Sequence, residues 1–242
     1  MCVGQASPLI SVVLTTRNRP QFFLLAIRYF RSQTYLSKEL IIVDDSDQPV
    51  EPAVPEATYV RLPSPTPLGT KLNLGIERAR GDWIAKMDDD DYYGRDFLQV
   101  MMGAAAHSDR AIYFVQPFLF FDLCKWEVRQ ADPDRCSGAT LVFSKNTWRE
   151  TPFRNHASGV DADFLMDHMS QNARPLALQP VNAVEDFLQV RHWGSHLWNN
   201  MPNGESLSSY LKRQRLYPKS PERLMPADVC RLYRILQSDR RV

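Results

Sequence analysis

No run of about 18 apolar residues occurs anywhere in the 242-residue sequence, so a membrane-crossing helix is not expected. The first 20 residues lack the long apolar stretch of a secretory leader, and no signal peptide is expected. Cysteine is scarce: Cys2, Cys124, Cys136 and Cys230. No two of them stand at CxxC spacing, which excludes a zinc knuckle. Free thiols in a reducing cytoplasm are the expectation. Net charge is also missing. Lys and Arg number 29 against 28 Asp and Glu, a balance that gives no electrostatic case for a nucleic-acid partner. Charge is uneven along the chain, however. Tyr210 to Arg215 and Arg231 to Arg241 are basic. They read either as a solvated helix face or as a docking surface for an anionic acceptor or a membrane.

What the chain does have is alternation. Leu9 to Thr15 is a continuous Ile/Val/Leu run ending in polar residues, as in a parallel strand covered on both faces. Pro20 opens a helical pattern. Leu40 to Val43 is a second strand, and Ala57 to Pro63 holds a short third. A helix follows over Gly69 to Gly81, stopped by that glycine. A fourth strand, Asp82 to Met87, runs into four aspartates. Strand and helix alternating over about 100 residues imply a doubly wound α/β fold with a mostly parallel sheet. In such sheets ligands sit beyond the carboxyl ends of the strands. Three strands here end in polar clusters: TTRNR, DDSD and DDDD.

After Phe97 the pattern changes. Ala111 to Val128 is rich in aromatics and predicts longer, partly antiparallel strands, so the sheet has a smaller antiparallel part. Ser137 to Trp148 reads as a strand leading into a helix near Lys145, and Gly159 to Asn172 as a helix. Asp186 to His196 reads as a last strand with its exit loop. Beyond Leu197 prolines interrupt short helical pieces. The expected division is a domain over 1–196, with a nucleotide-binding half over about 1–100 and an acceptor half over 101–196. A C-terminal helical extension would span 197–242.

The tetrad Asp88 to Asp91 is the strongest chemical signal. Adjacent like charges repel, so water or a cation must answer them. An EF-hand loop starting at Asp89 would place Gly94 sixth, but Tyr93 and Val100 fill its fifth and twelfth positions, and that reading fails. A solvated turn is the plainer alternative. Mg2+ or Mn2+, held by one or two carboxylates plus substrate phosphates, fits the pattern better.

The ordered blocks SVVLTTRNRP, LIIVDDSD, GTKLNLGIERARGDWIAKMDDDD, GATLVFSKNTW and GVDADFL resemble glycosyltransferase family 2, which carries the GT-A fold. The resemblance runs from Ile10 to about His196. It implies that Thr15, Arg17 and Arg19 line a nucleotide-sugar pocket, that Asp45 meets the base, and that Lys71 and Asn73 lie below the nucleotide. Asp88 to Asp90 match the family's Asp-x-Asp motif. Asp90 would bind the metal, and Asp88 or Asp89 the ribose or a metal-bound water, so Asp88 belongs to both sets. Asp91 is expected to face solvent or cap the next turn. His192, after the last strand, would reach the metal or the diphosphate, with His196 as the alternative. Asp161 matches the catalytic base and Asp163 is the fallback. Val160 stands where the family usually has Glu. On spacing alone, Asp161 reads rather as a helix-start carboxylate favoured by the dipole, and only the resemblance makes it the base. His107, His156 and His168 read as structural or surface residues. Trp83 and Trp148 read as core, and Trp193 and Trp198 as sugar-stacking or core side chains.

The resulting expectation is a metal-dependent, inverting glycosyltransferase. Mn2+ or Mg2+ would hold the diphosphate of a UDP-, GDP- or dTDP-sugar while a hydroxyl of a glycan, a lipid-linked or a small-molecule acceptor attacks. Location would be cytoplasmic, with peripheral contact at the inner membrane face. Two rivals stand against it. One is an inactive nucleotide-sugar-binding module, which the Val160 departure leaves open. The other is a nucleotidyltransferase, disfavoured because TTRNRPQFF has no glycine after the first strand.

Overall fold

The computed structural model describes residues 7–50, 54–170, 176–192 and 206–239. Its first strand, β1 (Ile10–Thr16), is buried along its whole length. A strand covered on both faces needs apolar side chains at consecutive positions, and ISVVLTT supplies nearly that. α1 (Pro20–Ser32) follows, with Pro20 in its first turn where a missing N–H costs nothing. β2 (Lys38–Asp44) and β3 (Ala57–Arg61) pair parallel in sequence order beside β1. α2 (Leu68–Arg78) crosses back to β4 (Trp83–Asp88), which pairs parallel on β1's other side. α2 ends at Arg78, three residues before Gly81, and the N–H of its cap residue Ala79 bonds Ile76 O.

The parallel register decides where the site lies. Thr15 sits level with Val43 on one side and Asp88 on the other, and Thr16 is level with Asp44. Three carboxyl ends therefore finish at one height, and the polar residues that follow each strand meet in one place.

β5 (Tyr92–Tyr93), α3 (Phe97–Ala105) and β6 (Ala111–Val115) come next, then β7 (Leu119–Asp122), β8 (Glu127–Gln130) and β9 (Val142–Ser144). The aromatic stretch after Ala111 does not form long strands. It breaks at Pro117, which has no ladder donor, into pieces of four or five residues in two sheets. β9 runs antiparallel between β4 and β6. The chain continues through α4 (Lys145–Glu150), α5 (Val160–Ser170), β10 (Ala177–Val181) and β11 (Phe187–Arg191). Among the described residues the large sheet has the order β10-β6-β9-β4-β1-β2-β3, and a smaller sheet has the order β5-β11-β7-β8.

The chain from Ser206 onward forms α6 (Leu207–Arg213), α7 (Pro221–Leu224) and α8 (Ala227–Asp239). These helices pack into the main body. Tyr217 N–H bonds Val128 O at 2.9 Å beside an antiparallel bridge between Arg129 and Leu216. Tyr233 is fully buried, and its hydroxyl meets that of Tyr29 at 3.1 Å. Val229, Cys230, Tyr233 and Leu236 belong to the same apolar cluster as α1. Arg28 of α1 pairs with Asp228 of α8. No helix of the described residues is long and apolar enough to cross a membrane.

Asn73 of α2 faces away from the polar ends of the strands. Its amide donates to Phe153 O at 2.8 Å and accepts from Trp148 Nε1 at 2.8 Å and Phe153 N at 3.0 Å. It clamps α2 to the chain after α4, and Trp148 fills the core beneath. Asn73→Ala should therefore lower stability by roughly 1–3 kcal/mol, because buried donors lose their acceptor. Urea denaturation should read this as a lower midpoint with unchanged slope. A variant of unchanged stability but weakened nucleoside-diphosphate binding would return Asn73 to the nucleotide role its motif implies.

Candidate active site

A cleft of about 550 Å3 opens at the carboxyl ends of β1, β2 and β4. Thr15, Arg17 and Arg19 line it from the β1 exit, Asp45 and Lys71 from β2 and α2, and Asp88 to Asp91 from the β4 exit. Pro65, Thr66 and Pro67 line it between β3 and α2, and Ser158, Gly159 and Asp161 line it around the start of α5. Gln189 and Arg191 of β11 complete it. Asn73 and Asp163 lie outside this lining, and so does His192.

Each acid has a distinct environment. Asp45 is fully buried; Lys71 Nζ reaches one oxygen at 2.7 Å and Thr66 N–H the other at 2.9 Å. The motif pair Asp45 and Lys71 thus becomes a single cross-brace between strand and helix. Asp89 is buried, accepts from Thr16 Oγ1 at 2.7 Å, and pairs with Arg19 at 2.6 Å. Burial, with Asp90 and Asp88 nearby, pushes its pKa up to about 7 against the pull of Arg19. Arg19 also grips Asp90. Burial opposes the guanidinium's charge, yet Asp89 and Asp90 outweigh it and raise its pKa above the usual range.

Asp91 departs from the expectation of a solvent-facing or turn-capping residue. It is 3% exposed and accepts from Val190 N–H at 2.8 Å, tying the aspartate loop to β11. Burial, followed by repulsion from Asp90 and Asp88, raises its pKa well above the ordinary value. Its role is to pin the loop's shape, not to meet solvent.

On the opposite wall Asp161 lies in the first turn of α5. Its Oδ2 is 3.4 Å from Lys86 Nζ, and its Oδ1 is buried without a hydrogen-bond partner. Burial raises its pKa to about 6, with Lys86 pulling down and Asp88 pushing up. Asp163, the fallback, is turned to the surface and engaged by His156 Nδ1 at 2.9 Å. Val160 is completely buried beside Phe164, so its position is filled by core packing.

His192 is 7% exposed and stacks on Phe22 with ring centroids 4.4 Å apart. Its Nε2 stands 3.4 Å from Asp90 Oδ2. It backs the metal-candidate carboxylate from behind the cleft surface. His196, Trp193 and Trp198 fall outside the described residues. Of the other histidines, His168 is fully buried with Phe164 edge-on at 4.5 Å, as a structural residue should be.

Among the described residues no three His, Cys, Asp or Glu side chains converge into a ready metal cage. Asp90 and His192 are the adjacent oxygen and imidazole donors. Asp88 has one oxygen committed to Lys86 at 2.7 Å. Residues that motif reading missed are Thr16, Thr66, Lys86, Gln189 and Arg191. A signal existed for Lys86 alone, a charge within an otherwise apolar strand.

The family model of glycosyl transferase family 2 matches residues 11–174. A protein of Escherichia coli K12 named as a colanic acid biosynthesis glycosyl transferase, WcaA, is 31% identical over 132 residues, 50% of this chain and 46% of that protein. The chain thus spans about half the length of that relative. Among solved structures, the mannosyltransferase PcManGT of Pyrobaculum calidifontis, in complex with GDP-Man and Mn2+, superposes with a TM-score of 0.62 at 14% identity. The match covers 81% of this chain and 60% of that one. S. aureus TarS gives 0.56 at 16% identity, over 76% of this chain and 37% of its own. These likenesses identify the architecture as the GT-A fold, and the matched family model, covering most of the chain, makes this protein a member of glycosyltransferase family 2.

Proposed function

We propose that this protein transfers a sugar from a nucleotide-diphosphate sugar to an acceptor hydroxyl, with inversion at the anomeric carbon and with the help of Mn2+ or Mg2+. One observation carries the reading. A half-buried carboxylate, Asp161, whose Oδ1 is buried without a hydrogen-bond partner, lines the same cleft as the aspartates that end β4. The solved neighbour with GDP-Man and Mn2+ supports a nucleotide-sugar donor and a divalent cation.

The chain's own groups suit that reaction. The Asp45–Lys71 brace and the Pro65–Pro67 wall form a recess for the base and ribose, with Thr15 and Arg17 on its floor and rim. Asp90, backed by His192, would hold the cation, which neutralises the diphosphate as it leaves. Arg19, now on Asp89 and Asp90, has a charge suited to the same phosphates. Asp161 accepts the hydroxyl proton as the hydroxyl oxygen attacks the anomeric carbon. The bond from that carbon to the phosphate oxygen breaks, and the nucleoside diphosphate departs with the bonding pair. Inversion fits a cleft in which one carboxylate serves as base and no second nucleophile is needed on the sugar's other face.

Two predictions follow from these assignments. Nucleoside diphosphate with Mn2+ should stabilise the native protein against heat, by about 2.7 kcal/mol at a hundred times the dissociation constant. Asp90→Ala should abolish the Mn2+-dependent part. A full Mn2+-dependent shift in that variant would remove Asp90 from the metal site. Asp161 acts only when ionised, and its raised pKa places the acid limb of kcat/KM near pH 6. Below that pH the rate should fall about tenfold per unit. Asp161→Asn should cost about 10²- to 10⁴-fold and erase the limb. An unshifted limb in the Asn variant would transfer it to another group.

A further inference from the structure

Lys86 lies in the middle of β4, level with Val13 on β1. It is 1% exposed and shares its strand face with Ile84, whose neighbours form an apolar cluster. An ammonium is costly in such a place unless it is answered. Two carboxylates answer it from the two walls of the cleft: Asp88 Oδ1 at 2.7 Å and Asp161 Oδ2 at 3.4 Å. The bridge closes a ring. Asp88 N–H bonds Tyr93 Oη at 2.8 Å, and that hydroxyl donates to Ala139 O at 2.9 Å. Next to Ala139 is Gly138, where an added Cβ would come within 2.5 Å of Asp161 Cβ and Oδ2. Lys86 thus holds one oxygen of Asp161 and Gly138 leaves the room it needs, while the other oxygen has no hydrogen-bond partner.

We propose that Lys86 is a positioning residue that fixes the Asp161 carboxylate at a set distance from Asp88, with Gly138 as its steric counterpart. The proposal rests on the glycosyl-transfer reading above. Lys86 touches neither donor nor acceptor. It acts by holding Oδ2, the Asp161 oxygen that takes the acceptor's proton, because Oδ1 is shut off from solvent.

The test uses the full chain and a panel of UDP-, GDP- and dTDP-sugars with Mn2+. Water serves as acceptor, and released nucleoside diphosphate is the readout. Lys86→Met, Gly138→Ala, Asp161→Asn and the Lys86→Met/Asp161→Asn double variant are compared. For Lys86→Met, kcat should fall about 10- to 100-fold, within the range of a displaced general base, with donor KM changed less than about fivefold. Gly138→Ala should repeat this split, and it carries the test alone if the Met variant melts below assay temperature. In the double variant the two losses should not multiply, because one acts through the other. An unchanged kcat in a folded Lys86→Met or Gly138→Ala protein would overturn the proposal, as would losses that multiply. Both leave the glycosyl-transfer reading standing. A wild type that turns over no donor of the panel overturns that reading and the inference with it.

Discussion

The arrangement depends on one electrostatic constraint: carboxylates crowded at the end of a buried strand must be answered by positive charge. Two unit charges about 4 Å apart repel by roughly 4 kcal/mol at an effective dielectric of 20, a large share of a domain's net stability. Here cations meet the load from several sides, the buried Arg191 of β11 among them, facing Asp91 and Asp90. Arg19, from the β1 exit, takes Asp89 and Asp90. Lys86, from within β4, takes Asp88 and reaches Asp161. Asp91 instead accepts a backbone N–H of β11, and burial raises its pKa. The tetrad is thus divided among three anchors, and each one fixes a different wall of the cleft.

That division also separates chemical tasks. Under the proposed reading, the aspartates paired with Arg19 would belong to the diphosphate end. Lys86 itself is buried, and the proposed base Asp161 meets the cleft beside it. Asp45, braced by Lys71 and a backbone N–H, is the most fully satisfied acid of the cleft and gives the base recess a rigid edge.

The last segment of the chain has a different importance from the one its composition suggested. Its basic stretches drew attention as a docking face, but its apolar residues are what connect it to the molecule. Tyr233 and Val229 enter the cluster that holds α1, and Tyr217 extends the edge of the smaller sheet. The segment supports the helix that follows the β1 exit loop, and so supports Arg19 from a distance.

The alternation of apolar runs and helical spacing was sufficient to read β1, β2, β4 and their helices, because a strand buried on both faces leaves a continuous signature. The polar ends of those strands were legible for the same reason, while the parts given to Thr15, Asp45, Asp88 to Asp90 and Asp161 came from the family resemblance of the blocks that hold them. Asn73 and Asp163 shared those motifs but not their direction. Helical spacing fixes how residues follow one another and not which neighbour the helix face meets, so Asn73 turned to Phe153 and Trp148 while Asp163 turned to His156. Asp91 could not be placed from sequence because its partner, Val190 N–H, lies 99 residues away. The sequence by itself determined the sheet, the acids and their order. Only the tertiary structure decided which acids share a cation, because pairing across the cleft depends on parallel register and on the docking of α5, and neither leaves a local trace.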